Sequence, residues 1–365
     1  MLQQYFGTRG ISRCEPAPGV LTPQRFTDPA AEHLATRRAA GLFDFSFMAC
    51  ADISGPDSLA FLHRLQTRNL SRLRPGRIAY TLLLRENGTV ITDATVWAIE
   101  AGRYALFIGR RADLEHVRRV AENFNVTIAD RSDDHAVIAL QGPRSSGIVA
   151  ACLSDMPARL SYFDCGSARY AGAACWISRI GYSGELGYEI IVRAPDGPAL
   201  WEDLRRAGAP HGMLECGFEA ADSLRIESGY VLFTRELAIP VTPFELGLSR
   251  LVDMYPVDFI GLSEIRRIRW QQPARQLAGL LPEPRQNMNL DRLAASAADT
   301  ETSTVITSLC HSPLFRRVLG LGYVAAADRY PGTSVRIAGN ILARVTRLPF
   351  HDPGRRLPRG LWHSA

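Results

Sequence analysis

A ten-residue pattern occurs twice in this chain, 87 residues apart: Ile53-SGPDSLAFL and Leu140-QGPRSSGIV. Each reads as the end of a strand, a Gly-Pro break and the start of a helix. Glycine permits the bend, and proline's fixed φ suits the first turn of the helix. Two related α/β units side by side account for such a repeat. The elements around it agree: the pattern predicts a strand over 51–53, a helix from about Pro56 to Leu65, a strand over 104–108 and a helix from about Ala112 to Phe124. Strands follow near 126–129 and 136–140, then a helix entered at Pro143. A further helix from about Phe218 to Ser228 stops at Gly229, a residue suited to a left-handed terminator. Short glycine-punctuated strands near 318–324, 335–337 and 341–347 predict a small β-rich domain. The small polar stretch 286–304 reads as a solvated loop or a lid. The fold class is therefore α+β.

Two segments carry the candidate chemistry. Tyr80-TLLLRENGTVITD-Ala94 reads as a hairpin turning at Asn87-Gly88, a dipeptide that favours a type I′ turn. Alternation along its second strand puts Ile91, Asp93, Thr95 and Trp97 on one face. A carboxylate among apolar neighbours needs a partner or a task. From spacing alone, Asp93 is either a salt-bridged or turn-stabilising residue or a working one. Arg179-IGYSGELGYEII-Val192 holds glycines at 181, 184 and 187, with Tyr182 and Glu189 leading into a strand. A backbone so rich in glycine can approach a flat ligand. Glu189 either binds that ligand or pairs with one of the chain's many arginines.

Composition removes several classes of chemistry. All 42 basic side chains are arginine. A chain without lysine forms no Schiff base with pyridoxal phosphate or a carbonyl substrate, and it lacks the lysine of a phosphate-binding loop. The net charge of +5 is spread in pairs such as Arg37-Arg38 and Arg316-Arg317, without the aromatic interleaving of a nucleic-acid face. The seven cysteines show no metal-ligand spacing and read as small buried residues. With mean hydropathy near zero and no apolar run near the roughly 20 residues that cross a bilayer, a soluble protein is expected. The N-terminus lacks the basic-then-apolar form of a secretory signal, so the expected location is cytoplasmic.

The chain resembles the aminomethyltransferase superfamily, which includes the T-protein of glycine cleavage. Nine stretches carry the resemblance in order: Ala39-AGLFDFS-Phe47, Ile53-SGPDSLAFLHRL-Gln66, the Asp93 hairpin, Ile138-ALQGP-Arg144, the Tyr182/Glu189 segment, Ala221-DSLRIESG-Tyr230, Thr242-PFELGL-Ser249, Asp258-FIG-Leu262 and Ile306-TSLCHSPLFRRVLGLGYV-Ala325. The resemblance implies two ferredoxin-like units forming a folate-binding region over 1–265. It adds a C-terminal β-barrel-like domain over 275–355, a tail over 356–365 and a central cleft. It implies tetrahydrofolate as cofactor, with no pyridoxal phosphate and no metal, and a one-carbon (aminomethyl or methyl) transfer. Asp93 maps onto the catalytic aspartate, Glu189 onto the carboxylate that grips the pterin edge, and Tyr182 and Tyr80 onto aromatic contacts. Arg225 faces a folate carboxylate or pairs with Asp222 at i−3. The donor is carried by a lipoyl carrier protein or is a small amine or methyl compound; neither nucleic acid nor membrane is expected as a partner.

Three positions depart from the T-protein pattern. Ala221 replaces an arginine that contacts folate, Gly109 an asparagine, and Phe47 a histidine; the N-terminal segment also lacks the family's Gly-Trp stretch. The alternative reading is a non-catalytic folate-binding or assembly protein of the same superfamily. That branch carries a cysteine where this chain has Tyr230, and Asp93 is kept here; both favour an enzyme.

Overall fold

In the computed structural model, which describes residues 2–18, 20–283, 290, 304–338 and 341–361, most of the chain folds around three antiparallel sheets. The first runs in the order Ile78–Leu84, Val90–Glu100, Arg103–Ile108, Ala49–Ser54, Thr127–Asp130. The second runs Cys165–Tyr170, Ala173–Ser178, Gly187–Arg193, His135–Gln141, Gly41–Asp44, with the short Leu214–Glu215 pairing in parallel at its edge. Both follow one scheme. A strand leads through Gly-Pro into a helix (Ser58–Leu65 and Ser145–Cys152), then come two strands of a hairpin and a third strand that pairs back on the first. A second helix follows (Leu114–Ala121 and Gly197–Gly208). In the second unit, Gly41–Asp44, from the N-terminal part of the chain, takes the place that Thr127–Asp130 holds in the first.

The repeat seen in the sequence is thus a repeat in space. The first helices of the two units begin and end 87 residues apart, 58 to 65 against 145 to 152. The preceding glycines share a conformation closed to other residues, with φ of 125° at Gly55 and 122° at Gly142. A Cβ would lie 2.6 Å from the Asn125 carbonyl oxygen at Gly55 and 2.5 Å from the Thr36 carbonyl oxygen at Gly142. Those neighbours are backbone and cannot swing away. Gly55→Ala and Gly142→Ala are each expected to lower stability by about 1–3 kcal/mol from backbone strain alone. Urea unfolding of the two variants checks this.

Each unit buries its helices on one face of its sheet, around Phe61, Leu62 and Leu106 in the first and Ile138, Leu200 and Trp201 in the second. The opposite faces meet through Phe43, Phe45, Trp97, Phe107, Val137 and Ile191. Side chains at 93, 95 and 97 and at 189 and 191 are therefore turned toward one shared interior. The third sheet, in the order Val305–Ser312, Arg317–Ala325, Arg275–Glu283, Ile341–Thr346, Ser334–Ala338, follows the helix Leu262–Ile268. It packs its Tyr323 against Leu82, Val90 and Phe259 of the region before it.

Two local expectations are corrected. The hairpin turn is not type I′, because Gly88 alone is left-handed (φ 74°). Gly88 N–H donates to Arg85 O and Arg85 N–H to Thr89 O, while the Asn87 side chain accepts from Thr89 N–H. That side-chain bond stabilises Asn87 without a positive φ. The helix expected over 112–124 is a 3₁₀ turn at Arg111–Asp113 followed by an α-helix of eight residues. The stretch 286–304, read as a loop or a lid, lies outside the described residues apart from 290 and 304. No helix among the described residues is long and apolar enough to cross a membrane.

Candidate active site

A cavity of about 1180 Å³ opens between the two sheets and the third. Asp93, Glu189, Tyr80 and Tyr182 all line it. Asp93 and Tyr80 stand on paired strands, on one face and one step apart, since Leu82 pairs with Asp93 and Tyr80 with Thr95. The Tyr80 hydroxyl donates to Asp93 Oδ2 over 2.8 Å. Tyr80 is thus the hydrogen-bonding partner of Asp93 as well as an aromatic wall. Burial raises the Asp93 carboxyl above the usual carboxylate range, and the bond from Tyr80 partly offsets this. No arginine is paired with Asp93 among the described residues.

Glu189 sits on a central strand of the second sheet, between Ser178 and Ala139. It is buried, with 7 % of its surface exposed, and its carboxylate has no hydrogen-bond partner or counter-ion among the described residues. Desolvation alone pushes its pKa up to about 7. The arginine pairing that spacing allowed is absent there. A buried carboxylate facing a cavity with unused acceptors fits a ligand that offers N–H donors.

Tyr182 is held from both ends. Its hydroxyl donates to Val231 O over 2.6 Å, and its ring stacks on Tyr230 with centroids 5.9 Å apart and planes 18° apart. The glycines around it are each pressed by a neighbouring side chain, and Gly181 also lines the cavity. A Cβ at Gly181 or Gly187 would lie 1.8 or 2.2 Å from the Gln141 side-chain oxygen, and at Gly184 2.2 Å from the Ser228 hydroxyl. Gln141 fills the loop, donating to Ile180 O and Tyr188 O and accepting from the Ser183 hydroxyl. Beneath it, Arg37 donates to Ser183 O, Glu185 and Glu227. Sequence reasoning missed these supports. Their one visible signal was the Leu-Gln-Gly-Pro stretch itself.

Arg225 is a correction. It is fully buried and does not line the cavity. Its guanidinium is used up by Asp222 Oδ1, Glu236 Oε2, Tyr230 O and the Ser308 hydroxyl. It ties the helix Phe218–Glu227 to the third sheet, the i−3 pairing included.

Of the departing positions, Gly109 and Phe47 line the cavity and Ala221 does not. A Cβ at Gly109 would stand 2.1 Å from the ring of Phe233, so Phe233 occupies the room of an asparagine there. Phe47 packs edge-on against Phe45 and Phe218. Ala221 is buried in the same apolar cluster as Phe43 and Phe45. Gly109→Asn alone is expected to destabilise by about 1–3 kcal/mol through overpacking. Adding Phe233→Ala should recover part of that loss, giving a coupling above about 0.5 kcal/mol in a double-mutant cycle.

Comparison with known proteins follows the same lines. Residues 4–255 match the GCVT N-terminal domain family. An aminomethyltransferase of Symbiobacterium thermophilum is 34% identical over 363 residues, covering 94% of this chain and 95% of that protein. One of Saccharopolyspora erythraea is 33% identical over 338 residues, covering 90% and 91%. The crystal structure of glycine cleavage system aminomethyltransferase T from Bartonella henselae superimposes with a TM-score of 0.83 at 25% identity, covering 96% of each chain. The chain belongs to the aminomethyltransferase superfamily.

Proposed function

We propose that this protein is a tetrahydrofolate-dependent aminomethyltransferase. The observation that carries the reading is the Glu189 carboxylate, buried, partner-free and turned into a cavity that also holds the Asp93–Tyr80 pair. Kinship with aminomethyltransferases over nine-tenths of the chain supports the same reaction class. The residues fit the cofactor. Glu189 would accept the paired N–H groups of the pterin edge in the bidentate manner of a carboxylate. Tyr182 and Tyr80, which line the same cavity, would hold its ring system. Tetrahydrofolate, once bound, supplies the nitrogens that take up the one-carbon unit.

The chain's own residues then position and move a proton. Asp93, with a carboxyl raised by burial and held at Oδ2 by Tyr80, would take up the proton lost by the accepting nitrogen as the carbon–nitrogen bond forms and the donor's bond to that carbon breaks, its electron pair leaving with the donor. We read the first two sheets with their helices as two ferredoxin-like units within residues 1–265. Residues 275–355 form a separate barrel-like domain in this reading, with a tail after 355, and the protein acts in the cytoplasm. The matching strand orders and crossover helices support the two-unit reading. Calorimetric titration with tetrahydrofolate tests the proposal: one site per chain is expected, and an absence of binding would remove it.

A further inference from the structure

We infer that Phe163 is a positioning residue for the transfer: its strained backbone splices the first two sheets together beside the cavity and fixes the spacing between Glu189 and Asp93. This rests on the transferase reading and adds to it what keeps the two halves of the site in step. Phe163 belongs to the link that follows the helix Ser145–Cys152 and leads into the strand Cys165–Tyr170. Its φ is 66°, inside the left-handed region, and among the described residues it is the one aromatic side chain found there. For an L residue that region is a small island, and a bulky side chain enters it at a cost. Such outliers persist where surrounding bonds over-determine them, and they cluster where function uses the strain.

The surrounding bonds come from both sheets. Phe163 O accepts from Ile78 N–H over 2.9 Å, and Phe163 N–H donates to Arg179 O over 3.1 Å. Ile78 opens the strand that carries Tyr80, the partner of Asp93. Arg179 follows the strand whose last residue, Ser178, pairs with Glu189, and it leads into Tyr182. The next two residues extend the splice: Arg179 N–H donates to Asp164 O, and Cys165 N–H donates to Gly76 O. Asp164 is pinned in turn by Arg77 and by Ser161 N–H. Phe163 itself lines the cavity and packs edge-on against Tyr162, with ring centroids 4.6 Å apart. Strain alone would favour glycine at this position. Glycine's left-handed basin is broad, however, and leaves the backbone free to wander within it. A phenylalanine held on its small island has no neighbouring conformation to slip into. The side chain therefore lowers stability while fixing the separation between the carboxylate that binds and the carboxylate that takes the proton.

Phe163→Ala and Phe163→Gly in the full-length protein separate the two effects, because both remove the ring and only glycine removes the strain. In urea unfolding the glycine variant is expected to show a folding constant at least about threefold larger than the alanine variant. Amide exchange at Ile78 and Arg179 should nevertheless run at least about tenfold faster in the glycine variant, through local opening of the splice. With tetrahydrofolate and aminomethylated dihydrolipoamide as donor, kcat of the glycine variant should fall at least about tenfold below that of the alanine variant. KM for tetrahydrofolate should stay within about threefold, since Glu189 lies wholly in one sheet. A residue that served stability alone would place the more stable variant first in turnover as well. A glycine variant no more stable than the alanine variant would remove the strain, and equal exchange at Ile78 and Arg179 would remove the splice. Equal kcat in the two variants would make Phe163 structural and overturn the positioning role. A parent that binds no tetrahydrofolate and transfers nothing would instead sink the transferase reading, with the splice still decided by the exchange comparison.

Discussion

Asp93→Asn is expected to lower turnover by about 10² to 10⁴ while changing tetrahydrofolate affinity by less than about tenfold. The substitution keeps the shape of the side chain and its room beside Tyr80, and removes only the basic oxygen. Asp93 lacks an arginine partner, so its charge is not part of an ion pair whose loss would disturb the fold. Burial already disfavours its ionised form, and the amide relieves that cost. The variant should therefore unfold at the parent's urea concentration or above it. A slow, well-folded, folate-binding variant is the signature of a proton acceptor. Parent-rate turnover by Asp93→Asn would make Asp93 structural. Tyr80→Phe offers a graded companion: the aromatic wall remains, the bond to Oδ2 goes, and a smaller loss of turnover should appear with the pH profile displaced upward, because a hydrogen bond that favours the charged carboxylate has been removed.

Much of this site was legible in the sequence because it depends on strand alternation. Period-two patterning alone turns Asp93, Thr95 and Trp97 to one face, and the Gly-Pro repeat announces two similar units whose inner faces meet. What the sequence did not reveal depends on contacts between distant segments. Arg225 reads equally as a ligand contact or a structural cation until Glu236 and Ser308 are brought against it from 11 and 83 residues away. The glycines near Tyr182 read as a ligand cradle because nothing local shows that Gln141, some forty residues earlier, presses on Gly181 and Gly187 and that Ser228 presses on Gly184. Gly109 looked like a lost side chain, and only the fold reveals that Phe233 stands in its place. Tyr80 was read as a wall; its hydroxyl's partner became visible only with the register of the hairpin.

Glu189→Gln is expected to cost about 2–4 kcal/mol of tetrahydrofolate binding, since charge-assisted hydrogen bonds are each worth roughly 1.5–3 kcal/mol. The same residue sets a pH dependence with a definite sign. With its pKa pushed up to about 7 by desolvation, the free protein holds Glu189 protonated below that pH and ionised above it. Only the ionised form accepts two N–H bonds. Affinity should therefore rise with pH up to about 7 and level off above it, falling about tenfold per unit on the acid side. Glu189→Gln should bind weakly and without that slope. Stability of the ligand-free protein should move the opposite way. A carboxyl whose pKa is raised on folding contributes stability below its unfolded pKa, and that contribution is lost as pH rises through about 7. At pH 8 the buried charge costs on the order of 3 kcal/mol, since a tenfold change in ionisation is worth about 1.36 kcal/mol. Glu189→Gln should recover part of that cost in urea unfolding at pH 8 and little of it at pH 5. A parent protein whose affinity is flat between pH 5 and 8, or a glutamine variant that binds as tightly, would mean that Glu189 does not grip the ligand. A site built for binding leaves its acceptor carboxylate unsatisfied when empty, and that unsatisfied charge is what these two opposed pH dependences measure.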